Sequence, residues 1–208
     1  MKYLTQDEQK TLIKTVRETK GAERDAVIIE TLLNTGLRAG ELVSLSVGDV
    51  RNKLRLYVQP AMAKRNSGGF IPLNVKIQDT LRTWIKMKLT ILHESIEDAA
   101  PLFVTRLGAP LTKRALQLIV EKWVTKAGLT TMKGSQIVAL YSTHSLRHSF
   151  AKRMQERGVP LTTIQKILRH SSLASTGVYT EASDAELDEA AHVLTIGAAR
   201  AESLRKAI

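Results

Sequence analysis

The chain has 208 residues, with 31 Lys and Arg against 20 Asp and Glu, a net charge of +11 and a pI near 10.0. That excess points to a polyanionic partner, nucleic acid first, and argues against a free enzyme acting on cationic substrates. A hydrophobic content of 43% means the charge decorates a folded core, and the absence of cysteine removes disulfide scaffolds, thiolate zinc sites and Cys nucleophiles together.

In chain order, Thr5 and Glu8 form a capping-box pattern, and Leu12, Ile13 and Val16 behind them predict an amphipathic helix that starts almost at the first residue. No separate N-terminal domain fits ahead of it. Ala26, Val27, Ile28, Ile29, Leu32 and Leu33 make the next segment apolar nearly all round, the mark of a buried central helix, and Gly36 ends it. A short helical piece around Glu41 to Leu45 leads to a turn at Gly48-Asp49. Leu54, Leu56 and Val58 then alternate with Arg55 and Tyr57 as a strand does, and Phe70, Ile71 and Leu73 form its partner. The loop between them, residues 60–69, carries Lys64 and Arg65 and suits a hairpin, the only β-ribbon expected in the chain.

The remainder reads helical: Val75 to about Leu92, then, after an acidic loop from Glu94 to Asp98, Thr112 to Ala127. Residues 130–141 read as an irregular connection. Thr143 caps a helix running through Arg157, Gly158-Val159-Pro160 breaks it, and a second helix carries Ile164, Ile167 and Leu168. A last helix is expected from about Ala185 to Lys206. Trp84 and Trp123 are assigned to the core. The fold class is one mostly α-helical domain with a small antiparallel β-sheet. No apolar run reaches membrane-spanning length and the N-terminus has no signal-like apolar region, so the expectation is a soluble intracellular protein with no membrane partner. Aromatics at 4% leave few stacking platforms for single strands and favour duplex DNA held through its phosphates.

Taken singly, the polar candidates are ordinary. His144-x-x-Arg147 describes many solvated helix faces, and Arg38 beyond a helix end is a common cap. His148 lies four residues after His144, but without a third ligand at recognisable spacing the metal reading is set aside. Glu41, three residues after Arg38, reads as a partner that orients an arginine. The company changes the odds: Lys64 in the hairpin loop, His170 after an apolar helix, and Tyr179 nine residues beyond it.

In these residues the chain resembles the tyrosine recombinases, or phage-type integrases. Thr35-Gly-Leu-Arg-Ala-Gly-Glu-Leu42 is similar to the family's first arginine box, and Thr143-His-Ser-Leu-Arg-His-Ser-Phe150 to its second. Leu168-Arg169-His170 with Tyr179 resembles the third, and Lys64 stands before Ile71-Pro72-Leu73 much as the family's hairpin lysine stands before its Val-Pro-Leu. The resemblance runs from about Tyr3 to Val193. It implies the tyrosine recombinase catalytic-domain fold, that of the DNA breaking-rejoining enzymes. Two departures are local: Ala39-Gly40 where Ser commonly follows a small or branched residue, and Arg169 where the family usually has Gly. Arg169 must then accept the backbone angle that glycine normally supplies. A third departure concerns the separate N-terminal DNA-clamping domain of most members, which is not represented. The sequence is expected either to begin at the catalytic domain or to belong with the short members that invert promoter segments.

A phenol with a pKa near 10 is ionised in only about one molecule in a thousand at neutral pH, a penalty of roughly 4 kcal/mol for attack on a phosphodiester. The resemblance implies how this is met: Tyr179 attacks, Arg38 and Arg147 stabilise the charge added to the phosphate, and His170 bonds a non-bridging oxygen. Lys64 protonates the departing 5′-hydroxyl and His144 accepts the phenolic proton. A covalent 3′-phosphotyrosine results, with no cofactor, ATP or metal. Arg65, Lys113, Arg114, Lys152, Lys166 and Arg169 are the expected phosphate contacts, drawn from a wider basic set that includes Lys122, Lys126 and Arg153. The expected assembly is a monomer alone and a tetramer on paired sites, the C-terminal helix (about 184–206) exchanged in trans. Two alternatives stay open. The segment from Ala151 to His170 resembles a helix-turn-helix and allows a non-catalytic DNA-binding regulator, and a type IB topoisomerase shares the cleavage chemistry.

Overall fold

The most apolar stretch of the chain sets the centre of the fold. In the computed structural model, which describes residues 2–59 and 68–169, Ile28, Ile29, Leu32 and Leu33 are completely buried in helix α2 (Glu23–Thr35). Packed against α2 are α1 (Gln6–Arg17), α5 (Val75–Thr90) and α7 (Thr143–Glu156), so residues more than a hundred positions apart share one core. Two short helices, α3 (Ala39–Val43) and α4 (Val47–Val50), follow α2, and α6 (Lys113–Lys126) lies against α1 and α3. The final described helix, α8 (Leu161–Leu168), packs on α7 through a smaller cluster of Phe150, Ala151, Ile164 and Leu168.

Local chemistry accounts for most element ends. At α1 the Thr5–Glu8 capping box forms in both directions, and the second Glu8 oxygen accepts the Tyr141 hydroxyl at 2.8 Å, tying α1 to the segment before α7. Burial, with Glu8 as acceptor, pushes the Tyr141 phenol up to about 12. Both tryptophans lie in the core with their N–H groups satisfied: Trp84 donates to the Leu102 carbonyl (3.0 Å) and Trp123 to the Asp25 carboxylate (2.8 Å).

The predicted hairpin is present. Strands β1 (Arg55–Val58) and β2 (Gly69–Pro72) pair antiparallel, with Leu56, Val58 and Ile71 inward and Tyr57 against Phe70 on the outer face. Leu54 lies before the strand and is exposed, although its spacing read as inward-facing. Three further details differ from the sequence reading. Residues 130–139 form a second hairpin, β3 (Thr130–Lys133) and β4 (Gln136–Ala139), turning at Gly134-Ser135 with Gly134 at φ 60°. Neither strand has a fully buried residue, and Met132 and Ile137 face solvent, so the alternation that marks a half-buried strand never appears. The expected turn at Gly48-Asp49 is the one-turn α4, stabilised by reciprocal Ser46–Asp49 bonds. At α7 the cap is Ser142 rather than Thr143.

Gly36 ends α2 as the sequence predicts, at φ 62°, with its N–H donated to the Leu32 carbonyl at 3.0 Å. A Cβ here would sit 2.5 Å from Phe150 Cδ1 and 3.0 Å from Leu168 Cδ2. Left-handed strain and overpacking add in Gly36→Ala, which is expected to lower unfolding free energy by roughly 2 to 5 kcal/mol. Urea denaturation measures this, and a loss below about 0.5 kcal/mol would contradict the packing described.

Candidate active site

The site is built where helix ends meet. An α-helix leaves its last carbonyls without intrahelical donors and with partial negative charge. Arg147, in the second turn of α7 and buried, donates one guanidinium nitrogen to the carbonyl of Gly36 at the end of α2 and the other to the carbonyl of Leu168 at the end of α8. Its position is therefore fixed by two backbone segments far from it in sequence.

Arg38, two residues past Gly36, is the N-cap of α3. Its backbone N–H donates to Glu41 Oε2 and its Nη1 to Glu41 Oε1, both at 2.8 Å, closing a loop that aims the guanidinium. The Nη2 donates to the carbonyl of Arg169 at 3.2 Å. The Arg38 side chain keeps 27% of its surface exposed while the Glu41 side chain keeps 1%, so the carboxylate is the buried anchor and the guanidinium the accessible part. His144, one turn before Arg147, has a solvent-accessible rim. The protein around it, then the charges of Arg147 and Arg38, hold its pKa below the ordinary imidazole value. The His148 ring meets the His144 ring edge to face, with centroids 4.3 Å apart.

Of the residues singled out in the sequence, Arg38, Glu41, His144 and Arg147 are thus gathered in one place. Lys64, Arg65, His170 and Tyr179, and the expected helix from about Ala185, lie outside the described residues. Lys113, Arg114 and Lys166 are exposed and Lys152 is half-buried, and the stem of Lys113 lies over Gly40, next to Arg38.

Arg169 corrects the expectation of a phosphate contact. Its guanidinium is turned inward and buried, with Nη2 2.6 Å from Glu41 Oε2 and Nη1 3.0 Å from the Ile167 carbonyl. Arg153, counted with the basic surface, is likewise directed to Gln9 Oε1 (2.7 Å) and the Leu33 carbonyl (2.6 Å). Lys122 and Lys126 lie over the Trp123 ring, 4.4 and 5.1 Å from its centroid. Sequence reasoning missed that Glu41 serves two arginines. The signal was present in the replacement of a glycine by a residue long enough to fold back.

An accessible arginine held by a buried carboxylate, a second arginine pinned between helix ends and a histidine beside both make a concentrated cationic site suited to an anion. Residues 2–186 match the model of the phage integrase family, and the chain belongs to that family. It is 32% identical over 190 residues to tyrosine recombinase XerC of Caldanaerobacter subterraneus subsp. tengcongensis, an alignment spanning 90% of this chain and 49% of that protein. It is 32% identical over 192 residues to tyrosine recombinase XerD of Oceanobacillus iheyensis, spanning 89% of this chain and 59% of that one. The chain thus spans about half to three-fifths of the length of these curated relatives. Among solved structures, the XerA recombinase superposes with a TM-score of 0.71 at 26% identity over 91% of this chain and 62% of its own. The XerH recombinase bound to its difH substrate has the same fold at a TM-score of 0.71 and 23% identity, over 93% of this chain and 54% of its own.

A lowered pKa for His144 means the unfolded chain takes up this proton more readily than the folded one. Its contribution to stability is present above about pH 6.5 and is lost as pH falls through the lower folded value. Histidine NMR titration is expected to give His144 a pKa below the ordinary value, raised in Arg38→Ala. An unchanged value in that variant would remove the electrostatic contact.

Proposed function

We propose that the chain is the catalytic portion of a site-specific DNA recombinase that cleaves and rejoins duplex DNA through a covalent 3′-phosphotyrosine. The reading rests above all on the convergence of Arg38 and Arg147 beside His144 in a member of the phage integrase family. Two guanidiniums held from behind, one by Glu41 and one by backbone carbonyls, suit the stabilisation of charge that grows on a phosphate only in the transition state. His144, whose pKa is lowered by partial burial and then by the charges of Arg147 and Arg38, suits acceptance of the phenolic proton.

In this reading Tyr179 attacks phosphorus, the 5′-oxygen leaves with a proton from Lys64, and His170 bonds a non-bridging oxygen. The phosphotyrosine conserves the bond energy, so a second 5′-hydroxyl reverses the step without ATP or metal. Arg65, Lys113, Arg114, Lys152 and Lys166 contact backbone phosphates, which makes affinity fall steeply with salt. In this reading the protein acts in the bacterial cytoplasm, as a monomer alone and a tetramer on paired sites.

Incubation with a pool of nicked duplexes of randomised sequence tests this directly. An SDS-resistant protein–DNA adduct is expected with the wild type and none with Tyr179→Phe, and sequencing the trapped strand then gives the target. A sequence-specific mobility shift with no adduct would favour a non-catalytic regulator. Relaxation of supercoiled plasmid by the isolated monomer would favour a topoisomerase.

A further inference from the structure

Arg169 is the C-cap of α8 and lies at φ 54°, ψ 47°, the left-handed region in which a side chain strains the backbone. Glycine would adopt this angle at no steric cost. The strain is met by a specific arrangement. The Arg169 stem crosses Gly69 of β2 so closely that a Cβ there would lie 3.3 Å from Arg169 Cγ and Cδ. Beyond that point the guanidinium reaches Glu41 Oε2 at 2.6 Å, with side-chain exposures of 2% and 1% for the pair. Glu41 Oε1 is bonded to Arg38 Nη1, and Arg38 Nη2 returns to the Arg169 carbonyl. Arg38, Glu41 and Arg169 therefore form a closed ring of contacts joining the start of α3 to the end of α8, immediately before His170.

We propose that Arg169 is a positioning residue for the cleavage reaction, acting through Glu41 to hold Arg38 and the backbone entering His170 in fixed relation. A carboxylate serving only Arg38 follows that arginine when a phosphate draws it outward. A carboxylate also tied to a buried second guanidinium stays in place, so Arg38 meets the phosphate from a fixed pivot. The presence of two cations on one buried carboxylate leaves a net positive charge behind the site, of the sign that an incoming phosphate needs. The side chain lies too deep to touch DNA itself.

This inference rests on the recombinase reading, and the experiment separates the two. Arg169→Gly relieves the backbone, so folding is retained and thermal stability is not the deciding measurement. With a nicked duplex that the wild type cleaves, the rate of adduct formation at saturating DNA is expected to fall roughly tenfold or more in Arg169→Gly. Duplex affinity, measured in a Tyr179→Phe background, should stay within about threefold and keep its salt slope, because a lost phosphate contact would lower that slope by about one. Arg169→Lys, which retains a donor for Glu41, should recover part of the rate, and adding Glu41→Gln to Arg169→Gly should cost less than the two single losses combined. Cleavage at the wild-type rate in Arg169→Gly, or a lower affinity with a reduced salt slope, would overturn the proposal. If the wild type forms no adduct on any duplex, the recombinase reading falls, and ¹⁵N relaxation of the Arg38 Nε–H group in the DNA-free protein still decides whether Arg169 fixes Arg38. Greater side-chain disorder in Arg169→Gly than in wild type supports that role, and equal order refutes it.

Discussion

The arrangement around Arg147 is the constraint on which the rest of the site depends. Two helices, α2 and α8, end with residues in the left-handed conformation, Gly36 and Arg169, and each end leaves a carbonyl in search of a donor. A single buried guanidinium from α7 answers both, at Gly36 and Leu168. The bonds work in two directions. They keep the helix ends from being buried with unsatisfied carbonyls, and they hold a strong cation through neutral backbone acceptors. A carbonyl holds a guanidinium in place without cancelling its charge, as a carboxylate would.

Arg38 is held by the other available means. Its partner, Glu41, is an ion, but a buried one whose charge is shared with Arg169. The three charges sum to +1, so the cluster remains cationic. The overall excess of +11 therefore has an inner component as well as an outer one. Arg153 and Arg169 spend their donors on Gln9, Leu33, Ile167 and Glu41 inside the fold, while Lys113, Arg114 and Lys166 remain at the surface. Charge counting from composition cannot separate these roles, because burial is decided by where helix ends fall and not by residue type.

The same distinction explains how far the sequence could be read. The buried α2, the Gly36 terminus, the β1–β2 ribbon and the tryptophan core were legible because each rests on a local period or a residue with one special conformation. The β3–β4 hairpin was missed because it stands on the surface with Met132 and Ile137 outward, so no face alternates. Within the site, the Arg38–Glu41 pairing was visible as an i,i+3 spacing. The Arg169–Glu41 contact joins residues 128 positions apart and had no local signature beyond the misplaced side chain at a glycine position. Sequence order alone brought Arg38 and Arg147 into one expectation through family resemblance, and the carbonyl pins that hold Arg147 were invisible to it, since a backbone oxygen has no identity in a sequence.

Anchoring functional groups to helix ends also determines what the site inherits from the core. Gly36 belongs to the terminus of the most deeply buried helix, and its carbonyl moves only if α2 moves. Leu168 belongs to α8, whose fully buried contribution is confined to Ile164 and Leu168 within the small cluster completed by Phe150 and Ala151. One pin of Arg147 therefore stands on the main core and the other on a four-residue satellite, and the satellite is the one with less apolar contact to resist local opening. Phe150 connects the two: its ring lies against Gly36 where a Cβ would collide with it, and it packs in the satellite with Leu168. The close fit at Gly36 thus does more than end a helix. Beside the two bonds of Arg147, it is a packing contact that couples α2 to α8, and hence to the residue that immediately precedes His170.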